Sequence, residues 1–345
     1  MPYCHKCGAK LDEDAKFCHV CGTPVGVTPA TRFERRPRTR VFIPSMFLIA
    51  LLVMAMVVVG FLFLPVRAVK FTQSEEVAFH PGIEMLNLNF SADIAQVNVV
   101  FEDLADRLVT LNVSATGDVG ILAPSDPLNV TFDHAFKGNK LMVISRVNGV
   151  AGWPWLFGLH VVCDLRVDLS MRVTMNVKTS VGKIVMSTKT GVVFDSLKLE
   201  AITGGVEASL VSNVAVNGDV SVRTTTGGID FSWEDVNVTG DALVEVGTTT
   251  GGVNVNVTQN RGLPANVTLN AEATTGGVRL DMTIHDNVGA NIESSTAVGG
   301  IDVHKTGFSG TKSPLQSDNY PASSNFIVSL HTTTGGVNVN ATYTP

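Results

Sequence analysis

Four of the five cysteines fall within the first 21 residues, in Cys4-His5-Lys6-Cys7-Gly8 and Cys18-His19-Val20-Cys21-Gly22. Each Cys-x-x-Cys pair can turn two thiolates toward one tetrahedral ion, and borderline-soft Zn²⁺ suits four sulfur donors. The glycine after each second cysteine permits φ > 0, so that backbone N–H groups can turn back toward the sulfurs. These residues predict one structural Zn²⁺ held by Cys4, Cys7, Cys18 and Cys21. Two disulfides, a redox pair, or mixed ligation through His5 and His19 are the rival readings. Disulfides need an oxidising compartment and a redox pair needs a thioredoxin-like βαβ context, which this stretch lacks. Four thiolates already fill the shell, which leaves both histidines to solvent and no open position for a reacting water. The segment offers only Tyr3, Leu11, Phe17 and Val20 as a core. Metal binding, worth about 10–16 kcal/mol in small fingers, would then supply most of the folding energy.

The repeated Cys-x-x-Cys-Gly over residues 3–23 resembles the short zinc-ribbon modules found at the ends of many prokaryotic proteins. No catalytic constellation accompanies it. His80, His134, His160, His285, His304 and His331 are dispersed, and neither a Gly-x-Ser-x-Gly nor a P-loop is present. Cys163, the one cysteine outside the N-terminal cluster, lies on an alternating apolar run from Leu159 to Val177 and reads as a buried, inert thiol.

Composition bounds the elements that carry these residues. With 45% hydrophobic and only 16% charged residues, the 345-residue chain excludes wholesale disorder and points to a membrane segment, a β-rich domain, or both. A net charge of −6 argues against a nucleic-acid binder. The charge is uneven: residues 1–40 hold eight Lys/Arg against four Asp/Glu. Residues 24–40 read as a basic, Pro-containing linker. From Val41 to Val66 no residue is charged, and Ser45 to Leu64 gives 20 residues, enough for a bilayer-spanning helix over 41–64. Five arginines precede this run, whereas Arg67 and Lys70 follow it. The positive-inside rule then predicts a single-pass signal anchor in the cell membrane, with a cytoplasmic N-terminus and an extracellular C-terminal domain.

The remainder is dominated by a Thr-Gly-Gly phrase. Its first glycines are Gly204, Gly227, Gly251, Gly276, Gly299 and Gly335, separated by 23, 24, 25, 23 and 36 residues. A period in this range signals stacked repeats. Threonines favour extended backbone, the glycines a corner, and apolar residues then alternate with polar ones, as in Val253, Val255 and Val257. The long last interval places an insertion around Lys305 to Ser324. The predicted fold is mainly β, an extracytoplasmic β-solenoid (β-helix) of roughly 24-residue repeats, because a corner must recur at every rung of a stack. An antiparallel sandwich or barrel is the alternative. Residues 70–158 read as a β region or cap, without the corner phrase, and residues 159–345 as the repeat domain proper.

This pattern, over roughly residues 83–343, resembles the putative-adhesin repeat domains of bacteria and archaea. That resemblance implies a β-helical, non-enzymatic structural or adhesive domain with no agreed catalytic residues. The expected partners are the membrane, a protein or surface glycan for the repeat domain, and a cytosolic protein for the ribbon, with no nucleic acid. Two other readings compete with it. One is an envelope sensor signalling through the ribbon. The other is a glycan-processing β-helix enzyme using the outward ladder Glu207, Asp230, Asn254, Arg279, Asp302 and Asn338. Gly152-Trp153-Pro154-Trp155-Leu156-Phe157 is a candidate cap or contact loop. Seven Asn-x-Ser/Thr sequons, at Asn89, Asn112, Asn129, Asn237, Asn256, Asn266 and Asn340, permit glycosylation and would matter more in an archaeal protein.

Overall fold

The structure is a computed structural model that describes residues 2–26, 45–62, 67–119, 126–150, 158–189, 191–211 and 213–345. Most of the 24–40 linker and the whole Gly152–Phe157 loop lie outside the described residues. Contacts divide the chain into two compact units, Met1–Val57 and Val58–Pro345.

The apolar run forms one helix, α1 (Ser45–Leu62, 18 residues). At 1.5 Å per residue it rises about 27 Å, short of the roughly 30 Å hydrocarbon core. Among the described residues no helix is long and apolar enough to cross a membrane. This overturns the expected membrane-spanning segment over 41–64. With it goes the single-pass topology that put the N-terminus in the cytoplasm and the C-terminal domain outside.

The second unit is mainly β. Its early strands are β1 (Arg67–Ala78), β2 (Met85–Ile94), β3 (Gln96–Glu102), β4 (Arg107–Val119), β5 (Leu128–Lys137), β6 (Lys140–Gly149), β7 (Leu159–Asp168) and β8 (Arg172–Val181). Then come β9 (Ile184–Ser187), β10 (Val193–Thr203), β11 (Val206–Leu210), β12 (Ala215–Val216), β13 (Val220–Thr226), β14 (Ile229–Glu234), β15 (Asn237–Val238), β16 (Ala242–Thr250) and β17 (Val253–Gln259). The last are β18 (Val267–Thr275), β19 (Val278–His285), β20 (Gly289–Val298), β21 (Ile301–Thr306), β22 (Phe308–Ser309), β23 (Leu315–Ser317), β24 (Asn325–Thr334) and β25 (Val337–Thr344).

They form two large sheets. One has 11 strands in the order β1-β4-β7-β3-β9-β11-β14-β17-β19-β25-β21. The other has 14, with the path β22-β23-β20-β24-β18-β16-β13-β10-β8-β2-β6-β5. Period-2 alternation turns one side of each strand inward, so Val253, Val255 and Val257 are buried while Asn254 and Asn256 are exposed. The inward rows of both sheets merge into one hydrophobic core running from Val77 to Ala341. The alternating run from Leu159 to Val177 is two strands, β7 and β8, one in each sheet, with Cys163 fully buried.

The β-solenoid expectation fails on topology. The sheets are open rather than closed into a coil, and the pairs β1–β4, β4–β7 and β5–β6 are antiparallel. Strand order also departs from chain order. The strand β3 lies between β7 and β9, and the last repeat, β24 and β25, is inserted between the repeats that precede and include β20 and β21. A coil wound rung by rung cannot take that order.

The Thr-Gly-Gly phrase nevertheless has a steric cause. Gly227 has φ 148° and Gly251 φ 147°, and a Cβ on either would overlap the carbonyl oxygen of the first glycine in the neighbouring rung, Gly204 or Gly227. Four of these first-glycine carbonyls are capped by a threonine hydroxyl from a neighbouring rung. Thr224 donates to Gly204 O at 2.8 Å, Thr248 to Gly227 O at 3.0 Å, Thr332 to Gly276 O at 2.8 Å and Thr296 to Gly335 O at 2.9 Å. The last two bonds trace the same non-sequential order, Gly276 then Gly335 then Gly299.

Candidate metal centre and outer polar face

Two near-identical turns build the N-terminal centre. Gly8 N–H donates to Cys4 O at 2.9 Å and Gly22 N–H to Cys18 O at 2.8 Å. Both glycines adopt the positive φ the sequence anticipates, 73° and 69°. Cys4 N–H then donates to Ala9 O and Cys18 N–H to Thr23 O, each at 2.8 Å. The four Sγ atoms lie within 4.8 Å of one another, with Cys4–Cys21 at 3.6 Å and Cys7–Cys18 at 3.5 Å. A tetrahedron of Zn–S bonds of about 2.3 Å has edges of roughly 3.8 Å, so the spacing suits the ion. His5 and His19 are exposed. The core differs from expectation: only Leu11 joins Cys4 and Cys18 in it, with Ala9 and Val25 packed beside them. Tyr3, Phe17 and Val20 are exposed, because two hairpin-like turns have no second layer to cover them.

A second feature lies on the outer side of the 14-stranded sheet. In register across β8, β10, β13, β16, β18 and β24 stand Lys178, Glu200, Arg223, Gly247, Glu272 and His331. Gly247 is among the residues that line a groove of about 650 Å³. Its flanks are ion-paired, Lys178 to Glu200 at 2.8 Å and Arg223 to Glu245 at 2.9 Å. Gly247 does not have a positive φ, and a Cβ there would meet nothing closer than 3.7 Å. No steric demand fixes this glycine, and sequence reading passed over it because it lies outside the corner phrase.

The outward ladder Glu207, Asp230, Asn254, Arg279, Asn338 and Asp302 does align across the other sheet. Several of its members are tied up in local structure. Glu207 pairs with Lys183, Asp230 accepts from Asn254 at 2.7 Å, and Arg279 binds Asp281 at 2.7 Å.

Residues 3–25 match the zinc-ribbon domain family. No curated protein matches the sequence. Among solved structures, the chain is similar to a putative cell adhesion protein from Clostridium sporogenes, at 13% identity over 79% of this chain and 100% of that one, with a TM-score of 0.37. It is also similar to a putative adhesin from Bacteroides fragilis, at 9% identity over 79% of this chain and 96% of that one, with a TM-score of 0.29. Nothing in these matches supports an archaeal source.

The zinc ribbon's four clustered thiols are consistent with one structural Zn²⁺. Their electrostatics fit a dication. The Thr23 hydroxyl and N–H lower the Cys21 thiol to about 6, and the Lys6 and Cys7 N–H groups lower Cys4. At Cys7 the Ala9 N–H favours the thiolate, but the Cys21 thiol and burial, with Cys18 and Cys4, outweigh it and raise the group to about 12. Crowding four sulfurs resists full deprotonation until a cation shares their charge. Cys163 is different: burial first, then Asp164, pushes it up to about 12, in keeping with an inert thiol.

Proposed function

We propose that the protein is a non-catalytic binding protein in which the β-sheet unit contacts a polar polymer, a surface glycan being the class that fits, through the outer groove at Gly247. The observation that carries this reading is a strand glycine that no backbone requirement explains. Glycine inside a strand weakens it, and here it stands in an open trough between paired charges, lined with hydroxyls and both signs of charge. Glycan hydroxyls match such a surface, since each can donate and accept. Two of the three carboxylates along the trough, Glu200 and Glu245, engage Lys178, Lys198 and Arg223, an arrangement that supports binding rather than turnover. In the same reading Cys4, Cys7, Cys18 and Cys21 hold the zinc, and the exposed Tyr3, Phe17 and Val20 give the ribbon an apolar face for a protein partner.

The test is a binding screen of the full chain against a polysaccharide panel, followed by Gly247→Gln, which sets a side chain into the trough without touching the core. Loss of binding with an unchanged thermal transition is expected. Binding that survives in the variant sinks the groove assignment, and polysaccharide turnover by the purified chain would overturn the non-catalytic reading.

A further inference from the structure

The two sheets end differently at the last repeats. In the 14-stranded sheet, β20 is covered by antiparallel β23, with Asn291 opposite Gln316 and Ile292 opposite Leu315, and β22 adds beyond it. Leu315 is fully buried and Phe308 nearly so. Lys305 Nζ holds this insertion by donating to Phe308 O at 2.9 Å and to Gly310 O. Among the described residues the 11-stranded sheet has no such cover and ends at β21, which pairs with β25 alone.

Backbone parity shows what this edge offers. Val337 N–H donates to Gly300 O at 2.9 Å, so Gly300, Asp302 and His304 direct their backbone groups toward β25. Strand residues alternate sides, and the N–H and C=O groups of Ile301, Val303 and Lys305 therefore face outward. Ile301 and Val303 are only partly buried, and the other residues of β21 are exposed. An open edge with free N–H and C=O groups is a template for another strand.

We infer that β21 is the site at which a second copy of this chain adds, antiparallel, about a two-fold axis through Val303. Parity and charge select that register. A two-fold pairing must set outward-facing residues opposite one another, so its axis passes through a residue and not between two. An axis at Asp302 would oppose two carboxylates, which is unfavourable for directly facing pairs. An axis at His304 would set imidazole against imidazole and leave Asp302 facing Thr306. With the axis at Val303, Asp302 faces His304 of the second copy twice over. Val303 meets its own counterpart and Ile301 lies along the Lys305 stem. Val303 with Val303, and Ile301 with Lys305, then each exchange both N–H···O bonds. Asp302 and His304 have no side-chain partner within the chain among the described residues, so both are available to one.

The inference is independent of the groove. It is tested by sedimentation equilibrium of the full-length, zinc-loaded chain. A six-residue strand pair lies well below a standard interface, so concentrations up to about 1 mM are needed. A monomer–dimer equilibrium that stops at the dimer is expected. Val303→Pro removes an N–H that faces away from β25, a change edge strands tolerate, and should weaken the dimer at least about tenfold. Should proline compromise folding, Asp302→Lys tests the same contact through charge alone, with a similar loss. Adding His304→Asp to it should restore association to within about threefold. A monomer at every concentration, open-ended oligomers, undiminished association in the single variants, or failure of the double variant to recover would each overturn the inference.

Discussion

The zinc ribbon and the β-sheet unit both rest on glycine turns, yet the energy that fixes those turns comes from opposite sources. In the ribbon, Gly8 and Gly22 meet no neighbouring atom where a Cβ would stand, and only Cys4, Leu11 and Cys18 are buried. Its glycines serve φ, and the ordering comes from the metal. In the sheets, the first glycine of each corner stands against the carbonyl of the next rung, and order comes from a continuous core. Withdrawing the metal separates the two regimes. Chelation, or Cys18→Ser, should unfold residues 2–26 and leave the sheet unit intact, since zinc supplies about 10–16 kcal/mol in modules of this size. One zinc per chain by elemental analysis, with collapse of the ribbon amide resonances on chelation, is the expected result. A ribbon that stays folded without metal would break the comparison.

Within the sheet unit the contrast can be drawn between adjacent glycines. A Cβ at Gly251 would overlap Gly227 O, whereas one at Gly252 would stand 3.8 Å from Gly277 O, and Gly252 lacks a positive φ. Gly251→Ala should cost about 4–5 kcal/mol or more, as severe strain at a special φ does. Gly252→Ala should fall within about 1 kcal/mol of wild type. Equal losses in chemical denaturation would show that the corner tolerates rung separation, and the steric account of the repeat would fail.

These two kinds of glycine also mark what could be read from sequence. The four-cysteine cluster was legible because metal geometry dictates residue type at fixed spacing, and the corner glycines because overlap with a neighbouring rung admits no side chain. Rung order was not legible. The insertion of β25 beside β19 depends on pairing between strands some 60 residues apart, and the local pattern of β25 is the same in either place. The 36-residue interval looked like a repeat with a loop, yet Leu315 and Phe308 fold back to cover β20. Hydropathy alone likewise extended the apolar run over 41–64, where the helix described is Ser45–Leu62. Tyr3 and Phe17 are exposed rather than part of a core, because two turns around one four-cysteine cluster leave no inside for them.

Smaller effects test the hydroxyl caps. Thr248 is 6% exposed and caps Gly227 O, so Thr248→Val keeps the shape and leaves that carbonyl without the cap. A loss of about 1–2 kcal/mol is expected. Two rungs carry alanine at the cap position: Ala201 is aligned with Thr179 and Thr224, and Ala273 with Thr248 and Thr332. Ala273→Thr should supply a donor to Gly251 O and raise stability by up to about 1 kcal/mol. If it destabilises, the threonines act through β-propensity or volume and not through the bond.

The smallest effect is electrostatic and sits on the outer face. Glu200 is held below the ordinary carboxylate range, first by its hydrogen bond from Lys178, with Lys178 and Lys198 charges adding to it against the cost of burial. A lowered folded-state pKa means the contribution is fully present above the unfolded value, near 4.3, and disappears as pH falls through the lower folded value. Because the Glu200 and Lys178 side chains are 30% and 43% exposed, solvent screening keeps this below about 1 kcal/mol. Glu200→Gln should therefore lower the sheet unit's transition temperature slightly at pH 7 and flatten its fall between about pH 5 and pH 3. Acid also protonates thiolates and releases zinc, so the profile must follow the sheet unit's own transition. An unchanged acid profile in Glu200→Gln would mean that the ion pairs beside the groove order its surface without stabilising the fold, and the energetic division between a metal-held ribbon and a core-held stack would then need no electrostatic term.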